Sequence, residues 1–127
     1  MGAGHTPSDV VVYLPEEQLL FAADLVTGDF HPYLPDGNPE SWISILAEMS
    51  DWSIKWIVPG DVGLKNMIRS TSNYISDVLA AADQLDKNTN TASKDFNVEI
   101  PETYRFWWLE QFYYDNVKFA FTRRAGK

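Results

Sequence analysis

The sequence predicts an α/β chain: a short mixed sheet with helices on one face and a closing helix crowded with aromatics. Three observations lead there. Apolar runs at 10–14, 19–23 and 54–58 are bounded by turn-forming residues and are too short for helices. Two longer stretches, one from Pro39 through Met49 and one near 64–86, repeat apolar residues at helical spacing. One of these stretches separates the second run from the third, and a strand–helix–strand order favours parallel pairing.

Taken in order, residues 1–9 are small, polar and turn-forming, and they open directly onto a strand at 10–14. A chain that begins inside a loop reads as one with something missing upstream. Pro15-Glu16-Glu17 turns the first strand into the second, at 19–23, as an antiparallel hairpin that delivers Asp24 at its carboxyl end. Both strands are apolar at consecutive positions, so both faces of the sheet are expected to be covered. The Gly-, Pro- and Asp-rich stretch 26–37 is long for a connection and is a candidate site wall. Asn38 is placed to cap a helix with Pro39 at its first position and Glu40 in its first turn; Trp42, Ile45, Leu46 and Met49 then share one face.

A third strand at 54–59 stops at Pro59-Gly60. The helix expected over 64–86 buries Leu64, Ile68, Ile75, Val78, Ala82 and Leu85, and residues 86–97 read as an exposed linker. A last helix is expected from Glu102 to about Arg123, its many aromatics serving as core or interface. The whole, residues 1–127, is read as one domain. Three strands that are apolar on both sides need two covering layers, and the two amphipathic helices provide one. The final aromatic helix, a second copy of the chain or a missing part of the domain must provide the other.

Composition narrows the function. A formal charge of −8 argues against nucleic acid and anionic membranes as partners, since both would be repelled. The absence of cysteine excludes disulfides, thiol catalysis and Cys-ligated metals, without fixing the compartment. No apolar run approaches the roughly 20 residues of a membrane span, and no signal-peptide pattern opens the chain. A phosphoacceptor receiver domain would need an adjacent acidic pair near the first strand and more strands. The candidate chemistry rests on His5, just before a strand, and on Asp24 and Asp61, each at the end of one. Each also has a structural reading: His5 as a loop histidine bonded to backbone, Asp24 as a turn cap, Asp61 as a turn residue after Pro-Gly.

Several motifs occur together in order. Gly4-His5-Thr6-Pro7-Ser8-Asp9, the strand pair ending in Asp24-Leu25, the loop with His31-Pro32, and Val58-Pro59-Gly60-Asp61-Val62-Gly63 resemble the carboxyl-terminal half of the metallo-β-lactamase-fold hydrolases. Pro32-Tyr33-Leu34-Pro35-Asp36-Gly37 and the segment after Ile100-Pro101 are similar to the branch with a Pro-Tyr-x-x-Asp-Gly loop. The resemblance implies half of an αββα sandwich and a site for one or two metals, zinc as a rule, that activates water. It implies His5 as a ligand, Asp24 as the bridging carboxylate and Asp61 at the position of the last histidine ligand. His31 would lie near the cleft or behind the ligands, and Asp9 would hold the His5 loop.

The family's first ligand motif, His-x-His-x-Asp-His, has no counterpart in a chain with two histidines, and Ala23 stands where a glycine is usual. The resemblance therefore implies a metal-dependent hydrolase represented by its carboxyl-terminal half, inactive alone. Any bound cation would be shifted by oxygen ligands from zinc toward manganese or magnesium-like ions. Its partner would be a second copy, in a homodimer, or a chain supplying the amino-terminal half. The alternative is a non-catalytic, self-associating binding module of the same fold.

Overall fold

The computed structural model describes residues 2–59 and 66–126, with only the backbone of Pro59. Strands β1 (Val12–Leu14) and β2 (Leu19–Ala23) form the antiparallel hairpin, and β3 (Trp56–Pro59) joins β2 in parallel, giving the order β1-β2-β3. Helix α1 (Pro39–Ser50) is the crossover between β2 and β3. Its start is built as the sequence implies: the Asn38 side chain accepts from the Ser41 amide at 3.0 Å, with Pro39 in the first turn. Trp42, Ile45, Leu46 and Met49 are all buried. Helix α2 (Asn66–Gln84) lies between α1 and α3 (Gln111–Ala125). No described helix is long and apolar enough to cross a membrane.

The sheet register explains which face meets the helices. Tyr13, Leu20 and Ile57 are paired across the three strands and form a row turned inward; Leu20 and Ile57 are fully buried. The rows on either side point the other way: Val12, Phe21 and Val58 in one, Leu14, Leu19 and Trp56 in the next. Val12 and Trp56 are each 51% exposed and Phe21 is 41% exposed. The expectation that consecutive apolar residues mean two covered faces is therefore corrected. The strands alternate in and out with period two, and among the described residues none forms a layer on the outward face.

Other boundaries also shift. The first and third strands begin two residues later than the apolar runs, and Leu64 lies outside the described residues. Residues 86–97 form successive turns without helix or strand. The long closing helix is replaced by a single 3-10 turn (Glu102–Tyr104), an irregular stretch, and α3 from Gln111. The reason is a competing use of the backbone. Trp108 donates to the Asp29 carbonyl and accepts from the His31 amide, both at 2.9 Å, and Leu109 then adopts a left-handed φ of 64°. Those bonds pull residues 107–109 out of helical geometry and onto the 26–37 loop. Helix α3 packs on α2, where Tyr113, Val117 and Phe121 are buried, and is tied to α1 by Arg123–Glu40 and to α2 by Arg124–Asp83.

One close approach locks the amino-terminal loop to the rest. The Asn38 amide donates to the Gly4 carbonyl at 2.9 Å, and a Cβ on Gly37 would lie 2.0 Å from that same oxygen. Only glycine lets the two backbones meet there. Gly37→Ala is expected to cost about 1–3 kcal/mol and to unseat residues 4–6. Urea denaturation measures the first effect, and the ring-proton chemical shifts of His5 report the second; a variant as stable as the parent would contradict the packing.

Candidate functional site

The site is assembled at the carboxyl end of β2. The ladder slips between Phe21 and Ala23, and Ala23 takes a left-handed φ of 47°. This irregularity re-aims the next side chain, as bulges do, and Asp24 emerges largely exposed at the sheet end. His5 arrives from the amino-terminal loop. That loop is folded around Asp9, whose carboxylate accepts from the Gly4 amide (2.7 Å), the Thr6 amide (3.1 Å) and the Thr6 hydroxyl (2.8 Å). His5 Nε2 stands 3.8 Å from Asp24 Oδ2, too far for a hydrogen bond but within reach of an ion pair or a shared cation.

Trp42 supports both arms. Its ring meets His5 edge-on, with centroids 5.3 Å apart, and its Nε1–H donates to the Leu25 carbonyl at 2.9 Å.

A cleft of about 290 Å³ lies beside the pair, with Thr27, Phe30, His31, Pro32, Tyr33, Asp36 and Phe112 as its other walls. Larger and more open hollows, about 660 and 450 Å³, flank the 97–101 segment and contain neither His5, Asp24 nor His31, so the smaller cleft is the candidate site.

The cleft wall is held from behind by a buried polar network. Asn116 of α3 accepts from the Leu34 amide (2.9 Å) and donates to the Pro32 carbonyl (2.7 Å) and the Tyr74 hydroxyl (3.1 Å). Because the Leu34 amide can only donate, the orientation of the Asn116 side chain is determined. Tyr74 accepts from Asn116, and the arrangement that leaves fewest buried groups unpaired has its own proton pointing to His31 Nδ1, 2.9 Å away. This assigns His31 as a neutral imidazole with its proton on Nε2. It is fully buried against the edges of Tyr74, Trp107 and Tyr113, and Nε2 has no hydrogen bond of proper geometry. Burial holds its pKa below the usual 6.5; the Tyr104 backbone and the charge of Glu110 oppose that only in part. Burial likewise raises the Tyr74 and Tyr104 phenols, and Tyr104 donates to Asp77.

With this geometry in place, comparison with known proteins becomes informative. No protein-family model and no curated protein matches the chain. Solved structures do. The crystal structure of VMB-1 at pH 5.5 aligns with a TM-score of 0.52 and 29% identity over 60% of this chain and 38% of that one. This is a partial metallo-β-lactamase fold. A metallo-β-lactamase from Pontibacter korlensis aligns similarly, with a TM-score of 0.54 and 28% identity over 60% of this chain and 39% of that one. The chain spans about two fifths of the length of these solved structures.

Does the partial metallo-β-lactamase fold hold enough donors for zinc? His5 and Asp24 are of the right kind, and their spacing is close to the roughly 3.3 Å kept by two tetrahedral ligands with ~2.0–2.1 Å bonds. Zinc needs three or four protein ligands, and among the described residues no third candidate joins them. A ligating histidine also donates its second ring N–H to an acceptor, whereas His5 Nδ1 is buried without one. Asp61 lies outside the described residues. The described residues thus fit part of a metal site and do not complete one.

Sequence reasoning missed Trp42 as a site support, and it missed Tyr74, Thr71 and Asn116 altogether. A signal existed: Thr71 and Tyr74 fall on the Ile68–Ile75–Val78 stripe, and Asn116 falls among Tyr113, Val117 and Ala120. Polar groups on a buried stripe imply partners. Thr71 uses its hydroxyl to accept from the Thr27 amide at 3.1 Å, fastening the cleft floor to α2.

Two outcomes are expected. Ala23→Gly relieves a left-handed alanine, worth about 1–2 kcal/mol, against roughly 0.4–1 kcal/mol of added unfolded-chain entropy. A net gain in thermal stability is expected, and a loss would contradict the local geometry. The depressed pKa of His31 means that the unfolded chain binds this proton more readily. Stability should therefore be full above pH 6.5 and fall as the pH drops from there toward the folded pKa. In urea melts at pH 7.5, 6.5 and 5.5, His31→Gln should flatten that fall; parallel slopes would assign the acid sensitivity elsewhere.

Proposed function

We propose that this chain is the carboxyl-terminal, metal-site half of a metallo-β-lactamase-like metal-dependent hydrolase and that it does not turn over substrate by itself. The observation that carries the reading is the pairing of His5 and Asp24 across one end of the sheet, beside a formed cleft, in a fold that is part of a larger one. A cation held there, zinc or a harder ion such as manganese, would polarise a bound carbonyl or phosphoryl oxygen and acidify water. His5 would present one directed nitrogen and Asp24 two oxygens; Asp61 is the third donor that the family resemblance implies. The outward sheet face, with Val12, Leu14, Phe21 and Trp56 exposed, is where the remaining layer of the sandwich would dock.

That same face favours a second reading, a non-catalytic module that self-associates as a homodimer. An apolar patch on the order of several hundred Å² is as large as monomers ordinarily tolerate. At ~25 cal/mol per Å², covering it would offset several kcal/mol of association entropy, and a two-fold axis would let one face serve both copies.

Metal analysis and turnover assays separate the two readings. The purified chain, supplied with zinc or manganese, is expected to bind metal weakly through His5 and Asp24 and to hydrolyse generic ester, lactam and phosphodiester substrates no faster than background. Turnover abolished by His5→Ala would sink the claim of inactivity, and tight zinc binding that survives Asp24→Ala would refute the ligand assignment. Light scattering over a concentration series tests the face: Phe21→Asp combined with Trp56→Lys should convert any dimer to a single chain. A parent mass of one chain at all micromolar concentrations would end the homodimer reading.

A further inference from the structure

We infer that the cleft beside His5 and Asp24 binds a neutral ligand through an apolar acyl or aryl group, selected by the aromatic walls of the cleft. Phe30, Pro32 and Tyr33 of the loop after β2 and Phe112 in the first turn of α3 supply those walls. The Tyr33 and Phe112 rings meet with centroids 5.0 Å apart and planes tilted by 58°, so loop and helix present one continuous apolar surface. On the other side Phe30 is bridged to Trp108. Residues paired across a bridge project to the same side, so Trp108, 77% exposed, stands next to Phe30 outside the cleft lining. Exposed aromatic surface continuous with a cleft is the usual mark of a ligand site.

The polar groups of the cleft point to the ligand's charge. Inside, the Thr27 hydroxyl lies against that of Thr71, His31 Nδ1 is taken by Tyr74, and the unpartnered His31 Nε2 and His5 Nδ1 are covered by their neighbours, so the surface of the buried part offers little to a charged group. A carboxylate, phosphate or ammonium entering it would lose its hydration without a partner. At the rim, Asp24 and Asp36 are exposed, and with the net charge of −8 they add repulsion toward anions. Exposed carboxylates are too well screened to offset the desolvation of a cation inside the slot. A cleft of about 290 Å³ is at the lower edge of the roughly 300–1,000 Å³ usual for small-molecule sites, enough for a short alkyl chain or one aromatic ring. The polar end of such a ligand, an amide or ester carbonyl, is then left at His5 and Asp24. That last placement rests on the hydrolase reading, whereas the apolar slot does not.

The test uses the whole chain without added metal and measures binding, not turnover. Straight-chain amides from butanamide to decanamide, followed by ligand-observed NMR, should gain about threefold in affinity per methylene until the slot is filled. Octanoate, and 8-aminooctanamide, whose ammonium end would have to enter the slot, should bind at least about tenfold more weakly than octanamide. Phe112→Ala should lower octanamide affinity about tenfold with the fold intact by circular dichroism, and Tyr33→Ala serves the same purpose should the first variant not fold. Asp36→Asn should narrow the gap between octanoate and octanamide. The inference is overturned by affinities independent of chain length, by tighter binding of the cation or the anion, or by folded wall variants that bind as the parent does. Since no step depends on metal or hydrolysis, failure of the hydrolase reading leaves these results standing, and their failure leaves that reading standing.

Discussion

A single indole, that of Trp42, is the contact on which the site depends. It is fully buried on the inner face of α1, presents its edge to His5, and spends its only donor on the carbonyl of Leu25. The carbonyl is one residue beyond Asp24, so one rigid side chain sets the position of both arms. A phenyl ring at this position would fill much of the space but could not donate, leaving the buried Leu25 carbonyl without its partner, which costs about 1–3 kcal/mol. The helix that carries Trp42 is itself pinned by the Asn38 cap, and the residue next to that cap, Gly37, touches the backbone of the His5 loop. Cap, indole and loop form a closed circuit of short-range contacts. The geometry of the corner is therefore a property of α1 as much as of the residues that line it.

The opposite wall is governed by polarity instead of shape. Asn116, Tyr74 and His31 are buried polar groups that would each be costly alone. Linked together, they fix the orientation of an amide, the direction of a hydroxyl and the tautomer of an imidazole. Partial satisfaction makes such a chain sensitive to charge: His31 cannot accept a proton on Nδ1 and keep the Tyr74 bond in its present sense. The aromatic jacket of Trp107 and Tyr113 keeps water from relieving that conflict.

Much of this architecture could be read from the residues. Asn38-Pro39-Glu40 and the Trp42–Met49 stripe specify α1 locally, and a crossover helix makes the parallel pairing of β2 and β3 a matter of handedness and chain length. The uncovered face was not legible, because Val12, Phe21 and Trp56 look the same in sequence whether or not a second layer exists. The closing helix was misplaced because its aromatics mask any stripe, and because the bonds that unwind Trp108 come from residues nearly eighty positions earlier. The meeting of His5 with Asp24 was suggested by the motifs' resemblance to a known family, but the bulge at Ala23 that aims Asp24 is visible only in the backbone. Asn116 was overlooked for the same reason as Trp108: its partners, Pro32 and Leu34, are 84 and 82 residues away.

That separation has a consequence in time. During synthesis the strand pair, the α1 cap and the Trp42 contact all lie within the first half of the chain and can form as it emerges. In the loop around Pro32 and Leu34 only the turn bond from the Gly37 amide to the Leu34 carbonyl can form early; the Pro32 carbonyl and the Leu34 amide meet their partner, Asn116, when α3 arrives. Until then the aromatic wall has no Phe112 and no clamp, and closing so long a loop carries an entropic cost before any contact repays it. The corner bearing His5 and Asp24 is thus an early structure and the cleft beside it a late one, so a nascent chain acquires its polar groups before it acquires a place to hold a ligand against them.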